Sequence, residues 1–266
     1  MDMTQDIGAG GNALPYRWSP MGFTYDGKEY TNERAIATQQ TAFWFVGQSR
    51  GNYPDVLGGI IWFGTDDAAT SYVTPIYTNS EIVPECFRVG NGDMLTYSST
   101  SSFWLNNRVA NACYKMYNYM APFVREHIDR FENSQISEGV PQTDAKALEL
   151  YNDIAGKEMK KQSKKNPGYD PMTDTGDAFL QVKQYLTSYS VSTADAIFSA
   201  WKKMEETLLV KFIDGNVKAQ NEDGTFVHSP ESESIPDGLT QPGYTEYWKE
   251  AVAHFHGDVV KKVEAE

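Results

Sequence analysis

The spacing of apolar residues changes once along this chain, near residue 98, and that change limits the folds open to it. Before it, apolar residues come in short runs of strand length. After it, they recur at three- and four-residue steps. Strands grouped first and helices grouped second, with no βαβ alternation, predict an α+β fold in which a small sheet is covered by helices.

The strand region divides at turn residues. Residues 1–33 are rich in Gly, Pro, Asn and Tyr and read as an irregular lead-in. Residues 35–49, AIATQQTAFWFVGQS, read as a strand apolar on both faces, as in a covered sheet. A turn with Gly51, Asn52, Pro54 and Asp55 leads to a second strand at 57–64, LGGIIWFG, where Gly58 and Gly59 suggest a bulge or a close backbone approach. A third strand, 71–77, carries Pro75 and is expected at an edge or at its own end, and 82–89, IVPECFRV, is a weaker fourth.

The helical region opens at the SSTSS run, 98–102, which offers hydroxyl N-caps. Trp104, Val109, Cys113, Met116, Met120, Val124 and Ile128 then lie on one stripe of a helix running to about Phe131, with Pro122 expected to kink or break it. Further helices are expected at 143–161, 174–188 and 193–213, then a polar excursion at 214–243 and a last helix at 245–263. The whole reads as one domain over 1–266, with strands within 34–95 and mainly helix over 98–266.

Composition narrows the partners. With 23 basic and 36 acidic residues the net charge is −13, which repels a phosphate backbone, so nucleic acid is not expected. No apolar run reaches membrane-spanning length, and MDMTQDIGAGGNALPYRW has neither the basic nor the apolar region of a signal peptide. The compartment stays open.

Familiar catalytic and cofactor patterns are missing, and no cofactor is expected. There is no Gly-rich phosphate loop, and no GxSxG elbow. HFH at 254–256 falls in a predicted helix, where residues two apart diverge, so no metal site is expected. Cys113 lies on an apolar stripe and reads as a buried hydrophobe, while Cys86 follows Glu85, whose charge opposes a thiolate. Arg50 is left, at the end of the first strand. It reads either as an ordinary ion pair or as a fixed charged fork beside a site that handles a carboxylate or oxyanion.

Three segments in order resemble peptidase family C69, the dipeptidase branch of the N-terminal-nucleophile hydrolases. They are ERAIATQQTAFWFVGQSR, GGIIWFGTDDAATSYVTPIY and SFWLNNRVAN. The resemblance implies a four-layer αββα fold, of which this chain would supply the C-terminal portion. It also implies an N-terminal cysteine that attacks short peptides or dipeptides, with its own α-amino group as base. Here the chain begins Met-Asp and has no cysteine before Cys86, so the nucleophile segment is expected elsewhere, and the chain alone is expected to be inactive. On this resemblance Arg50 is the candidate catalytic residue, and Asn52, Trp62 and Tyr77 are candidates for substrate binding. The expected partners are a peptide and either the upstream half of the enzyme or a second copy of the chain. The alternative is a non-catalytic binding or accessory protein that keeps half of the fold.

Overall fold

The structure, a computed structural model, describes residues 23–30, 37, 40–162, 164–166, 176–244, 246 and 249–254. It divides into two compact units, one of 1–36, 111–124 and 204–266, the other of 37–110 and 125–203. Helices and small antiparallel sheets make up both, an α+β mixture.

The second unit holds a three-stranded antiparallel sheet. Its strands are β3 (Phe43–Ser49), β4 (Gly59–Thr65) and β5 (Thr74–Tyr77), in the order β3-β4-β5. Phe45 lies opposite Phe63 and Gly47 opposite Ile61, and Ile61 lies opposite Ile76. Residues directly opposite share a face. One face therefore carries Ile60, Trp62, Pro75 and Tyr77, and the other Phe43, Phe45, Ile61, Phe63 and Ile76.

The first face is covered over β4 and β5, while Val46 of β3 on the same face is exposed. Ile60 and Tyr77 are buried with Val56 and Leu57 against Val140, Ala147 and Tyr151 of α3 (Val140–Gln162) and Ala178, Val182 and Leu186 of α4 (Asp177–Phe212). The second face is open at Phe43, Phe45 and Ile61, which are exposed, and half-buried at Phe63 and Ile76, whereas Thr65 and Thr74 on it are buried. Phe43 stacks on Phe63 at 6.0 Å between centroids, and Phe63 meets the edge of Phe87 at 5.1 Å, so this apolar face continues past the sheet. A second packing centre of this unit sits around Tyr72, whose ring meets Trp201 at 5.0 Å and Phe131 at 5.9 Å.

Several sequence expectations are corrected. The lead-in contains a hairpin, β1 (Phe23–Tyr25) and β2 (Lys28–Tyr30), joined at Asp26-Gly27, both with left-handed φ. Asp-Gly accepts the two left-handed conformations that a tight hairpin turn needs. The strand expected at 35–49 is seen as β3 alone; 35, 36, 38 and 39 lie outside the described residues. Segment 82–89 is not a strand: Pro84 caps a single 3-10 turn, Glu85–Phe87, and Ile82 and Val83 are exposed. Pro75 sits in β5, an edge strand, as its missing N–H requires.

The helix boundaries also shift. The first helical stretch breaks not at Pro122 but between α1 (Ser102–Cys113) and α2 (Tyr117–Ser134). There Lys115 and Met116 donate to carbonyls three residues back, which tightens the turn, whereas Pro122 near the start of α2 costs one backbone bond. The gap expected between the first two helices is bridged by a π turn, Gln135–Gly139, just ahead of Pro141, so α2 leads directly into α3. The two helices expected at 174–188 and 193–213 are one, α4; residues 174 and 175 lie outside the described residues. Within α4 the Ser190 hydroxyl donates to the Leu186 carbonyl at 2.9 Å and Ser192 to Tyr189 at 3.1 Å, so these hydroxyls are satisfied inside the helix without interrupting it.

The first unit, besides the β1–β2 hairpin, joins β6 (His228–Ser229) to β7 (Ser232–Pro236) within the stretch read as a polar excursion. Lys211 organises it, donating to the Lys218 carbonyl at 3.0 Å and to Gln220 at 2.8 Å. Of the last expected helix, residues 246 and 249–254 are helical; 245, 247, 248 and 255–263 lie outside the described residues.

Candidate functional site

Arg50 follows β3 directly. Its backbone N–H donates to the Gly58 carbonyl at 2.8 Å, and its carbonyl accepts from Tyr53 N–H at 3.1 Å, which closes the 51–58 loop over the strand end. The closed loop turns the side chain inward. Its guanidinium donates to a carboxylate oxygen of Asp144 on α3 and to the Leu57 carbonyl. It also lies over the rings of Tyr53, at 4.5 Å, and Tyr77, at 5.4 Å.

The other Asp144 oxygen accepts from the Tyr77 hydroxyl at 2.6 Å. Tyr77 N–H donates to Ser190 of α4 at 3.1 Å. Burial, followed by the bond to Asp144, holds the Tyr77 hydroxyl above the usual phenol range, so it stays a donor. Arg50 and Asp144 are 8% and 7% exposed. Breaking a buried pair of this kind by removing one partner costs about 3–5 kcal/mol, because the other charge stays buried and uncompensated. Only Nε of the guanidinium lacks a partner.

The four residues named from sequence separate as follows. Arg50 and Tyr77 meet through Asp144. Trp62 lies on the same sheet face, half-buried, and its indole N–H donates to Gln48 at 3.0 Å. Asn52 is exposed on the loop. Arg50 is thus neither a surface ion pair nor a free fork: its charge is engaged by α3, on the helix-covered side of the sheet.

A second polar cluster, not singled out in the sequence, occupies the opposite end of the β3–β4 ladder, about 20 Å away at ~3.4 Å per residue. Thr65 Oγ1 donates to Ser102 at 3.1 Å. Asn106 Nδ2 donates to Thr65 Oγ1 at 3.1 Å and to the Thr65 carbonyl at 3.2 Å. Asn107 Nδ2 donates to Asp66 Oδ1 at 3.0 Å. Two adjacent residues of the strand end are thereby stitched to two adjacent residues of α1. Asp66 and Asn106 are each 1% exposed, and Asp66 Oδ2 and Asn106 Oδ1 lack a partner. Asp66 also holds a left-handed φ of 67°. Burial pushes its carboxyl up to about 6, against the lowering effect of the Asn107 bond. The available signal was a pair of acids directly after a buried strand, together with an Asn-Asn pair inside an amphipathic helix.

Neither cysteine is placed for nucleophilic work. Neither is in a disulfide and both are buried, and burial, reinforced by Asp195, pushes the Cys86 thiol up to about 12. Among the described residues no group of three His, Cys, Asp or Glu could hold a metal ion, and no helix is long and apolar enough to cross a membrane.

The family model of peptidase family C69 matches residues 16–130. No curated protein matches the chain. The matched segment contains Arg50, Tyr77 and the whole Thr65–Asp66/Ser102–Asn106–Asn107 cluster, while Asp144 and Ser190 lie beyond it.

Proposed function

This chain belongs to peptidase family C69 through residues 16–130, and from that premise we propose that it is the C-terminal portion of a dipeptidase hydrolysing short peptides. In this reading the nucleophile is an N-terminal cysteine carried on a segment other than these 266 residues. That segment contributes a second sheet, which packs on the open face of β3–β4–β5 and completes an αββα sandwich.

The observation that carries the reading is the asymmetry of the sheet. On one face Ile60 and Tyr77 are buried under α3 and α4, with Val46 exposed at the β3 edge, while the other presents Phe43, Phe45 and Ile61 to solvent between buried Thr65 and Thr74. An apolar sheet face normally packs on another layer, and exposed patches of this kind mark interaction surfaces. In the completed enzyme Arg50, held by Asp144 on the helix-covered side, fixes the end of β3, with Asn52 on the adjoining loop surface and Trp62 and Tyr77 on the same face of the sheet.

The test is hydrolysis of a dipeptide panel by the chain alone and by the chain co-expressed with a segment bearing a mature N-terminal cysteine. The expected result is no activity alone and thiol-sensitive hydrolysis in the pair. Thiol-sensitive hydrolysis by the chain alone would overturn the assignment of the nucleophile.

A second reading, a non-catalytic binding protein that keeps half of the fold, is favoured by one observation: the Arg50 guanidinium is bound by Asp144 and the Leu57 carbonyl. A stable chain that neither gains activity from a cysteine-bearing segment nor associates with one would support it.

A further inference from the structure

We propose that the loop between β5 and α1, residues 82–97, is a self-association surface through which two copies of this chain pair. The loop is tightly built around Asn91. Its side-chain amide donates to the Glu85 carbonyl at 2.7 Å, and its side-chain oxygen accepts from the hydroxyls of Ser98 at 2.6 Å and Thr100 at 2.9 Å. Asp93 and Thr96 exchange backbone bonds around Met94 and Leu95, and the Asp93 carboxylate accepts from the Leu95 N–H at 2.8 Å. The Trp104 indole of α1 donates to the Thr96 carbonyl at 3.0 Å. Gly92 has a left-handed φ of 81°, and a Cβ on it would stand 3.1 Å from the Trp104 ring, so the turn packs directly on α1.

This frame turns apolar side chains outward. Val89 is 99% exposed, Leu95 98% and Met94 75%, and Ile82, Val83 and Tyr97 are each more than half exposed. The bonds from 91 to 85 and from 93 to 96 close the chain on either side of Val89 and of the Met94–Leu95 tip, which fixes both tips. The six side chains together present on the order of 800 Å² of apolar surface, more than the largest patch of a typical monomer and about what one partner contributes to a standard interface.

Charge selects the partner. At −13, two copies of this chain repel one another over most of their surface. The stretch 82–108 is an exception, with two acidic residues, Glu85 and Asp93, and two basic ones, Arg88 and Arg108. Arg88 pairs with Glu85 at 2.8 Å, and Arg108 donates to the Tyr97 hydroxyl at 2.6 Å with its guanidinium 5.7 Å from the ring centre. A neutral apolar patch on an anionic chain fits a second neutral apolar patch, and an identical copy supplies one by two-fold symmetry. An anionic lipid surface fits worse, because the net charge repels it and both nearby arginines are engaged within the loop. The surface is distinct from the open sheet face to which the cysteine-bearing segment is assigned, so the inference goes beyond the peptidase reading and does not rest on it.

The experiment is sedimentation velocity of the full chain over about 1–100 μM, with cosedimentation on phosphatidylcholine vesicles alongside. The expected result is a wild-type dimer, at least about tenfold weaker association in Leu95→Glu and in Val89→Glu, and unchanged association in Phe45→Glu, which alters the open sheet face instead. Both loop residues are almost fully exposed, so these variants keep the fold, which circular dichroism checks. A wild type that stays monomeric throughout, a dimer that both loop variants retain, or a dimer lost only in Phe45→Glu would overturn the proposal. A monomer that binds the vesicles through Leu95 would assign the loop to a lipid surface and overturn it as well.

Discussion

Arg50 and Asp144, 94 residues apart in sequence, form a buried ion pair that ties the end of β3 to α3. The pair joins a residue inside the family-matched segment to one beyond it. Its acceptor is shared with Tyr77, so one carboxylate holds two elements of the sheet. Asp144→Asn is expected to destabilise the chain by about 3–5 kcal/mol, and the double variant Arg50→Met/Asp144→Leu by clearly less, because no lone charge is then left buried. Urea unfolding of the three proteins measures this. Equal stability of wild type and Asp144→Asn would show that the pair does not hold the sheet.

Tyr77→Phe removes one donor to Asp144 while leaving the ring packed against Tyr189, whose centroid lies 6.0 Å away. A loss of about 1–3 kcal/mol is expected, as for a hydrogen bond to a charged group. Chemical denaturation reads the loss directly. A neutral result would place the Asp144 acceptor in contact with water.

Gly64 is a point where the sheet admits one residue type. A Cβ there would stand 2.7 Å from the Tyr72 carbonyl oxygen and 2.8 Å from the Trp44 indole nitrogen, which itself donates to Ser71 at 2.9 Å. Gly64→Ala should therefore displace Trp44 and cost about 1–3 kcal/mol. A shift in the thermal midpoint, with loss of Trp44 side-chain protection by NMR, checks both parts.

Asp66 gives a pH dependence with a definite sign. Its carboxyl rises from 3.8 to about 6 in the folded chain, so between those values the folded state keeps a proton that the unfolded state releases. Stability from this group is accordingly present at low pH and lost as pH rises from about 4 to about 6, by up to about 3 kcal/mol. The other carboxylates titrate as well, so the readout is the difference between wild type and Asp66→Asn across that range. A difference that stays flat with pH would mean that the carboxyl is solvated.

The buried thiols should resist alkylation. With Cys86 pushed up to about 12 and both cysteines buried and outside any disulfide, iodoacetamide at neutral pH is expected to leave the folded chain unmodified and to add two groups after denaturation. Mass spectrometry of intact protein counts the additions. Rapid single modification of the folded chain would identify a reactive cysteine.

What the sequence determined by itself was the α+β class of the fold and the likeness of residues 16–130 to peptidase family C69. The change from strand-length apolar runs to three- and four-residue steps located the sheet before the long helices, and Pro75 marked an edge strand, because these signals act between neighbours in the chain. The helix boundaries were less legible: two helices were expected where α4 runs unbroken, and the break between α1 and α2 came with backbone bonds three residues back, not at Pro122. Arg50 was visible as a lone charge at a strand end, but its state was decided by Asp144, a distant residue on an otherwise ordinary helix face. The same holds for Asp66 and Asn106, whose partnerless oxygens exist only because a strand end and a helix turn far apart in sequence are packed together. Local spacing is set by short-range sterics and can be read along the chain; burial of a charge is set by what the rest of the chain brings against it, and only the tertiary structure decides that.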